Sequence, residues 1–227
     1  MPPKAEERSP HDLWAQLDPA DADALTARGI VREFRRGHAL CHERQLPDRV
    51  LVIRSGRVKI TVSSAAGREV VLAFRGPGEL VGELSALDDQ PRSATVVALE
   101  RVEALAIAYG DFRSYLADHP AASLALLRML ARRLRDADAK RLEFASASTL
   151  ERVASRLLEL CDRFGEAAGD HVEIDLPLSQ EELAGWAGAS LESAGRALQT
   201  MRGLGWIETR RRQVRVVDVN ALRRAAA

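Results

Sequence analysis

Residues 30–108 repeat one pattern so consistently that few folds can hold it. Apolar and polar residues alternate through VREFRRGHAL, RVLVIRSGRVKITVSS, REVVLAFRGPGELVG and ATVVALERVEALAIA, and Gly37, Gly56, Gly67, Gly76 and Gly78 punctuate them. Successive side chains of an extended chain point to opposite faces, so alternation sets one face on a core and the other in water. Arg57, Lys59 and Thr61, interleaved with Val58, Ile60 and Val62, illustrate it. Short strands at regular spacing with glycine turns predict a small antiparallel barrel or sandwich.

After His119-Pro120 the period changes. Leu127, Leu130, Leu134, Ala137, Arg141 and Phe144 recur at intervals of three or four, a coiled-coil seam of about three heptads. A helix packed only on its own domain gives a similar pattern. Here the length and the charged remaining faces (Arg128, Arg132, Arg135, Asp136, Lys140, Glu143) favour self-association into a homodimer. Upstream, HDLWAQLDPADADALTARG (11–29) predicts short helices separated at Pro19, and MPPKAEERSP (1–10) predicts a disordered leader with no apolar signal-peptide core. Downstream, ASASTLERVASRLLELCDRFG (145–165) begins as a small, polar hinge. It continues as an amphipathic helix with Gly165 at its C′ position. EAAGD reads as a turn and HVEIDLPL as a strand.

The 227 residues suffice for two modest domains. With 33 basic and 33 acidic side chains the chain as a whole is not drawn to nucleic acid or membrane, so any such attraction must be local. Cys41 and Cys161 lie far apart, which supports no disulfide framework, zinc site or iron–sulfur site. They read as buried thiols of a reducing cytosol. No run approaches a membrane span, so a cytoplasmic protein is expected. In RRGHALCHER, His38, Cys41 and His42 fall on both faces of a strand, which predicts exposed histidines and no metal.

The local attraction lies at the C-terminal end. Ser179 to Glu182 fits a capping box opening a short helix. Gly188 ends it, Ser190 is the next N-cap, and Leu191 to Arg202 forms a second helix with Ala194, Leu198 and Met201 inward. Two short helices across a tight turn make a helix-turn-helix. GWIETRRRQVRVVD adds a hairpin wing tipped by Arg210, Arg211 and Arg212. From Ser190 onward eight arginines stand against three acids, a footprint for duplex DNA. The second helix would enter the major groove, with Arg196 suited to guanine and Glu192 to cytosine N4. Ser193 suits a phosphate or a base. Glu192 and Arg196 also fit a surface i,i+4 pair of about 0.2–0.5 kcal/mol. The wing arginines and the charge asymmetry favour DNA. The expected DNA-facing set is Ser179, Gln180, Ser190, Leu191, Glu192, Ser193, Arg196, Arg210, Arg211 and Arg212.

GELSALDDQPRSAT (82–95) sets the acid Glu83 and the base Arg92 around a short apolar turn. Alone, the two are equally well an ion pair. They also meet the needs of a cyclic nucleotide. The phosphate needs desolvated donors, which Arg92, Ser93 and free amides supply. The ribose 2′-hydroxyl needs an acceptor, Glu83. Gly82 permits close backbone approach, and Pro91 fixes the loop.

In this setting the stretch resembles the phosphate-binding cassette of cyclic-nucleotide-binding domains, with Gly82, Glu83, Leu84, Arg92, Ser93 and Ala94 on the pattern and Ser85 beside them. LARRLRDADAK resembles the start of a central dimer helix, and LSQEELAGWAGASLESAGRALQTMRGLGWI a helix-turn-helix. By these three matches the chain is identified as resembling the Crp–Fnr family, cAMP receptor protein type. The resemblance implies an α+β chain: an antiparallel β-roll or jelly-roll nucleotide-binding domain over 11–120, a dimerisation helix over 121–147, and a winged helix-turn-helix over 148–227. It implies no enzyme but an allosteric regulator controlled by cAMP, or by cGMP or another nucleotide. The implied partners are a two-fold DNA operator and RNA polymerase. A ligand favouring the DNA-competent state would be tightened by DNA in return.

Three departures stand out. Where cAMP-responsive members offer a Thr-Ser-like pair to the base, this chain has Ala137 and Asp138. The aspartate only accepts hydrogen bonds, as from adenine N6 or the guanine N1/N2 edge. Leu191 replaces a common arginine, forgoing bidentate discrimination of about 1–3 kcal/mol while suiting a thymine methyl. The clustered N-terminal cysteines of the iron–sulfur branch are absent. Competing readings are a same-family regulator with another effector or none, a phosphodiesterase using Glu83 and Arg92, and a nucleotide-binding regulatory subunit.

Overall fold

The computed structural model describes residues 12–63, 69–174, 179–210 and 213–226. The expected leader and the wing-tip arginines Arg211 and Arg212 lie outside them. The chain divides into two compact units, the first running to Ala137 and the second from Asp138 onward, with Glu69–Val71 grouped with the second.

In the first unit two antiparallel four-stranded sheets lie in sequence-defined order. One is β1 (Gly29–Phe34), β8 (Val102–Ala108), β3 (Arg49–Ser55), β6 (Leu80–Val81). The other is β2 (Ala39–Cys41), β7 (Thr95–Ala98), β4 (Val58–Ser63), β5 (Glu69–Arg75). Among the described residues a 3-10 turn at Trp14–Gln16 and the helices α1 (Pro19–Ala27), α2 (Glu83–Asp88) and α3 (Tyr109–Asp118) complete the unit. The first three turns of α4 (Pro120–Ser146) bury Ala122, Ala125, Leu126 and Met129 in it as well.

The strand β3 does not alternate in polarity as the pattern led one to expect. Val50 to Ile53 are all buried. Val50 and Val52 face a cluster with Leu25, Phe112, Tyr115 and Leu126, whereas Leu51 and Ile53 face one with Val58, Val96 and Ala104. The sheet is therefore a middle layer, helices on one face and the second sheet on the other. A strand covered on both sides must be apolar at every position. Thr61 is a second departure. It is buried rather than exposed and sits directly opposite Thr95, a cross-strand pairing that suits two threonines.

The first helix starts as its sequence dictates. Pro19 occupies its first turn, and Asp18 caps it by accepting the Asp21 N–H at 2.7 Å. The long helix α4 buries Leu126 and Met129 on one face, while Leu127 and Leu134 on another are 61% and 63% exposed.

In the second unit α5 (Thr149–Phe164) opens on a capping box between Ser148 and Glu151. Gly165 does stop this helix, but with φ −78° it is extended rather than left-handed. It begins β9 (Gly165–Ala168), which pairs with β10 (His171–Ile174) across Gly169 and Asp170. The expected turn is thus half strand, because Gly165 and Glu166 register against Ile174 and Glu173. The hairpin joins β11 (Ile207–Arg210) and β12 (Gln213–Val216) in one sheet, order β11-β12-β10-β9. The helices α6 (Gln180–Trp186), α7 (Leu191–Gly203) and α8 (Val219–Ala225) complete it. Asp218 caps α8 by accepting the Ala221 N–H at 2.8 Å.

A charged cluster ties the end of α4 into this unit. Buried Arg156 pairs with Glu143 and with Glu159, the latter at 3.4 Å. Glu159 also holds Lys140 at 3.1 Å and Arg163 at 3.6 Å. Arg156 and Lys140 both lie against the Trp186 ring, 5.5 and 5.4 Å from its centre. Burial alone would raise the Glu159 carboxyl, but Lys140, Arg156 and Arg163 outweigh it and hold it below the ordinary value. Among the described residues no helix is long and apolar enough to cross a membrane.

Candidate functional site: cassette pocket and helix-turn-helix

The cassette forms because β6 runs directly into α2 through Gly82. This residue is left-handed, φ 80°, and a Cβ on it would lie 2.3 Å from the Arg92 guanidinium. The positive φ calls for glycine, and a side chain there would also displace the Arg92 guanidinium. Asp89, which ends α2, is also left-handed. It is held there by the Tyr109 hydroxyl and by Arg113, 3.1 Å away.

Glu83 and Arg92 are each only 4% exposed, and they do not pair with one another. Arg92 donates from Nη1 to the Gly82 carbonyl at 2.8 Å. From Nη2 it donates to the Arg49 carbonyl and to Asp48 Oδ1, the latter at 3.2 Å. Glu83 instead accepts from Arg133 of α4 at 2.6 Å, and the same guanidinium donates to the Leu80 carbonyl at 2.9 Å. Buried charges are tolerated only when so partnered. Among the described residues the buried Nε atoms of both arginines have no hydrogen-bond partner. This donor set suits an anion that also carries a hydroxyl.

The remaining expected residues distribute unevenly. Ser85 and Ala94 are buried, Ser93 is exposed and Leu84 is half exposed. Ala137 and Asp138 are both exposed on α4. His38 and His42 are exposed while Cys41 is buried. Among the described residues no group of His, Cys, Asp and Glu is arranged for a metal ion.

In the second unit Ser179 and Glu182 form a reciprocal capping box at α6, with bonds of 2.7 and 3.1 Å. Gly188 follows with φ 59°, and a Cβ there would meet the Phe144 ring at 2.8 Å. Ser190 then caps α7 by accepting the Ser193 N–H at 3.1 Å. Ala194, Leu198 and Met201 are buried. Gln180, Leu191, Glu192 and Arg196 project outward and are exposed. Arg196 pairs with Glu192 and donates to the Ser193 hydroxyl at 3.3 Å. Arg210 lies exposed at the end of β11.

Residues 31–119 match the cyclic nucleotide-binding domain model and residues 151–225 the Crp-like helix-turn-helix domain model. The chain is 36% identical over 214 residues to the CRP-like cAMP-activated global transcriptional regulator of Mycobacterium tuberculosis, spanning 94% of this chain and 96% of that one. The chain belongs to the Crp–Fnr family of DNA-binding transcription regulators. It is also 32% identical over 189 residues to the cyclic AMP receptor protein of Thermus thermophilus, 83% of this chain and 84% of that one. The solved structure of the c-di-GMP responsive global regulator CLP from Xanthomonas campestris shares its fold. The TM-score is 0.78 at 23% identity, with 88% of this chain and 99% of that one covered.

Sequence reasoning about this Crp–Fnr regulator missed Arg133, Asp48 and Arg49. Arg133 had a signal, since it lies one helical turn before Ala137 on the same helix. Asp48 and Arg49 had none, because they reach Arg92 across the sheet.

Proposed function

We propose that the protein is a homodimeric, sequence-specific DNA-binding regulator whose DNA affinity is set by a cyclic nucleotide, cAMP first, bound at the cassette. The observation that carries this reading is the bond between Glu83 of the cassette and Arg133 of the long helix. A ribose hydroxyl arriving at Glu83 competes for the acceptor that holds α4, so occupancy and helix position are linked. The nucleotide phosphate takes Arg92 and Ser93, with Gly82, Leu84 and Ser85 shaping the turn, and Ala137 and Asp138 face its base. The exposed Leu127 and Leu134 supply the dimer contact. On DNA, α7 enters the major groove with Leu191, Glu192, Ser193 and Arg196 toward the bases. Ser179, Gln180, Ser190 and the wing arginines Arg210, Arg211 and Arg212 take phosphates. RNA polymerase is the further partner, the cytoplasm the compartment, and no catalytic step is involved. Incubation with cAMP should accordingly yield no hydrolysis.

Calorimetric titration of the full chain with cAMP and cGMP, alongside Glu83→Ala and Arg92→Ala, tests the reading. Micromolar binding abolished in both variants is expected. Absence of binding to either nucleotide overturns cyclic-nucleotide control. A second reading, a family member with another effector or none, is favoured by Ala137 and Asp138. Operator binding that ignores both nucleotides would establish it.

A further inference from the structure

Arg92 has three acceptors, and they differ in kind. Two are backbone carbonyls, of Gly82 and Arg49, fixed where β6 and β3 place them. The third is the Asp48 carboxylate, the only ionised one and 46% exposed on its side chain. Asp48 just precedes β3, after Pro47, and its own carbonyl accepts the Tyr109 N–H at 3.1 Å. Its backbone is therefore anchored while its side chain reaches into water. The two carboxylate oxygens are divided. Oδ1 accepts from Arg92 at 3.2 Å, and Oδ2 accepts from Arg49 Nε at 2.5 Å.

We propose that Asp48 is an internal competitor for the anion that Arg92 binds, and that Arg49 is the partner it keeps when it yields. The inference rests on the cyclic-nucleotide reading of the cassette. With Asp48 in place, the guanidinium is already neutralised, and an approaching phosphate meets an ion pair rather than a free cation. The phosphate must detach Asp48 from Arg92. The carbonyls stay, so the guanidinium remains aimed, and only the weaker of the two Asp48 contacts is lost. Burial acts to raise the Asp48 carboxyl, yet Arg49 and Arg92 together hold it below the ordinary carboxylate value, so it is a full anion at neutral pH. The device lowers affinity without disordering the site, setting the ligand concentration at which the protein responds.

The test is calorimetric titration of the full-length protein with cAMP. It compares wild type with Asp48→Asn, Arg49→Ala and the double variant, and thermal melts confirm that each is folded. Asp48→Asn is expected to tighten binding about tenfold. Arg49→Ala is expected to weaken it severalfold, because Asp48 then has only Arg92. The double variant should match Asp48→Asn. Should Asp48→Asn fail to fold, Asp48→Ser takes its place. Equal or weaker binding by the Asp48 variant, with wild type binding normally, overturns the competitor alone. Loss on Arg49→Ala that persists in the Asp48→Asn background makes Arg49 a direct ligand and overturns its fallback role. Binding by Asp48→Asn but not by wild type supports the competitor while overturning cyclic-nucleotide control of the wild-type chain. Binding by neither overturns the nucleotide reading and the competitor with it.

Discussion

The cassette and the recognition helix both carry a carboxylate near a guanidinium, and they use them in opposite ways. Glu83 and Arg92 are sunk in the first unit, each tied to a different partner across the fold. Glu192 and Arg196 sit one turn apart on an exposed helix face and hold each other. Removing one member of a buried pair strands the other in low dielectric. An exposed pair loses almost nothing when it opens, since water replaces the partner. The contrast teaches where each interaction can be spent. A buried pair is costly to open, so it holds its elements in register until another group takes over the bond. An exposed pair can surrender its partner at small cost, which is what the proposed contact of Arg196 with a base edge requires.

The sharpest way to break this contrast is Arg133→Ala. Glu83 then stays buried without its guanidinium, and stability should fall by about 3–5 kcal/mol in denaturant unfolding. Adding Glu83→Gln should recover much of that loss, since the stranded charge is gone. Arg196→Ala should behave conversely, weakening operator binding by about 2 kcal/mol in a gel-shift titration with an unchanged melting temperature. A smaller effect is expected with acid. The Glu159 carboxyl is lowered in the folded state, so its contribution is fully present above its unfolded value of 4.5 and is lost as pH falls through the lower folded value. Unfolding curves should show stability steady near neutrality and declining below that point, and Glu159→Gln should flatten the decline. The smallest effect belongs to Glu192→Gln, where a double-mutant cycle with Arg196→Ala should give about 0.3–0.5 kcal/mol.

Much of the fold was readable from local pattern. The glycine-punctuated alternation marks the two sheets of the first unit, and Ser179, Glu182, Gly188 and Ser190 mark the helix-turn-helix, because a cap or a left-handed turn is settled by residues three or four apart. The all-apolar run at Val50 to Ile53 was misread as alternating, since only the tertiary layering shows that both its faces are covered. Gly165 ends α5 as read, but pairing with Ile174 keeps it extended rather than in the left-handed C′ conformation. The candidate site was half readable. Glu83 and Arg92 announce themselves in one short segment, but their partners lie 50 and 44 residues away. Contacts at that separation leave no spacing for a reader to find.

The single guanidinium of Arg133 spans two acceptors, Glu83 and the Leu80 carbonyl, which stand three residues apart on either side of Gly82. The group is planar and rigid, and its donors are fixed in one fork. A slide of the β6–α2 corner therefore moves both acceptors relative to one rigid fork. The two bonds hold the turn at Gly82 on both of its sides, so the cassette corner and the long helix share one clamp.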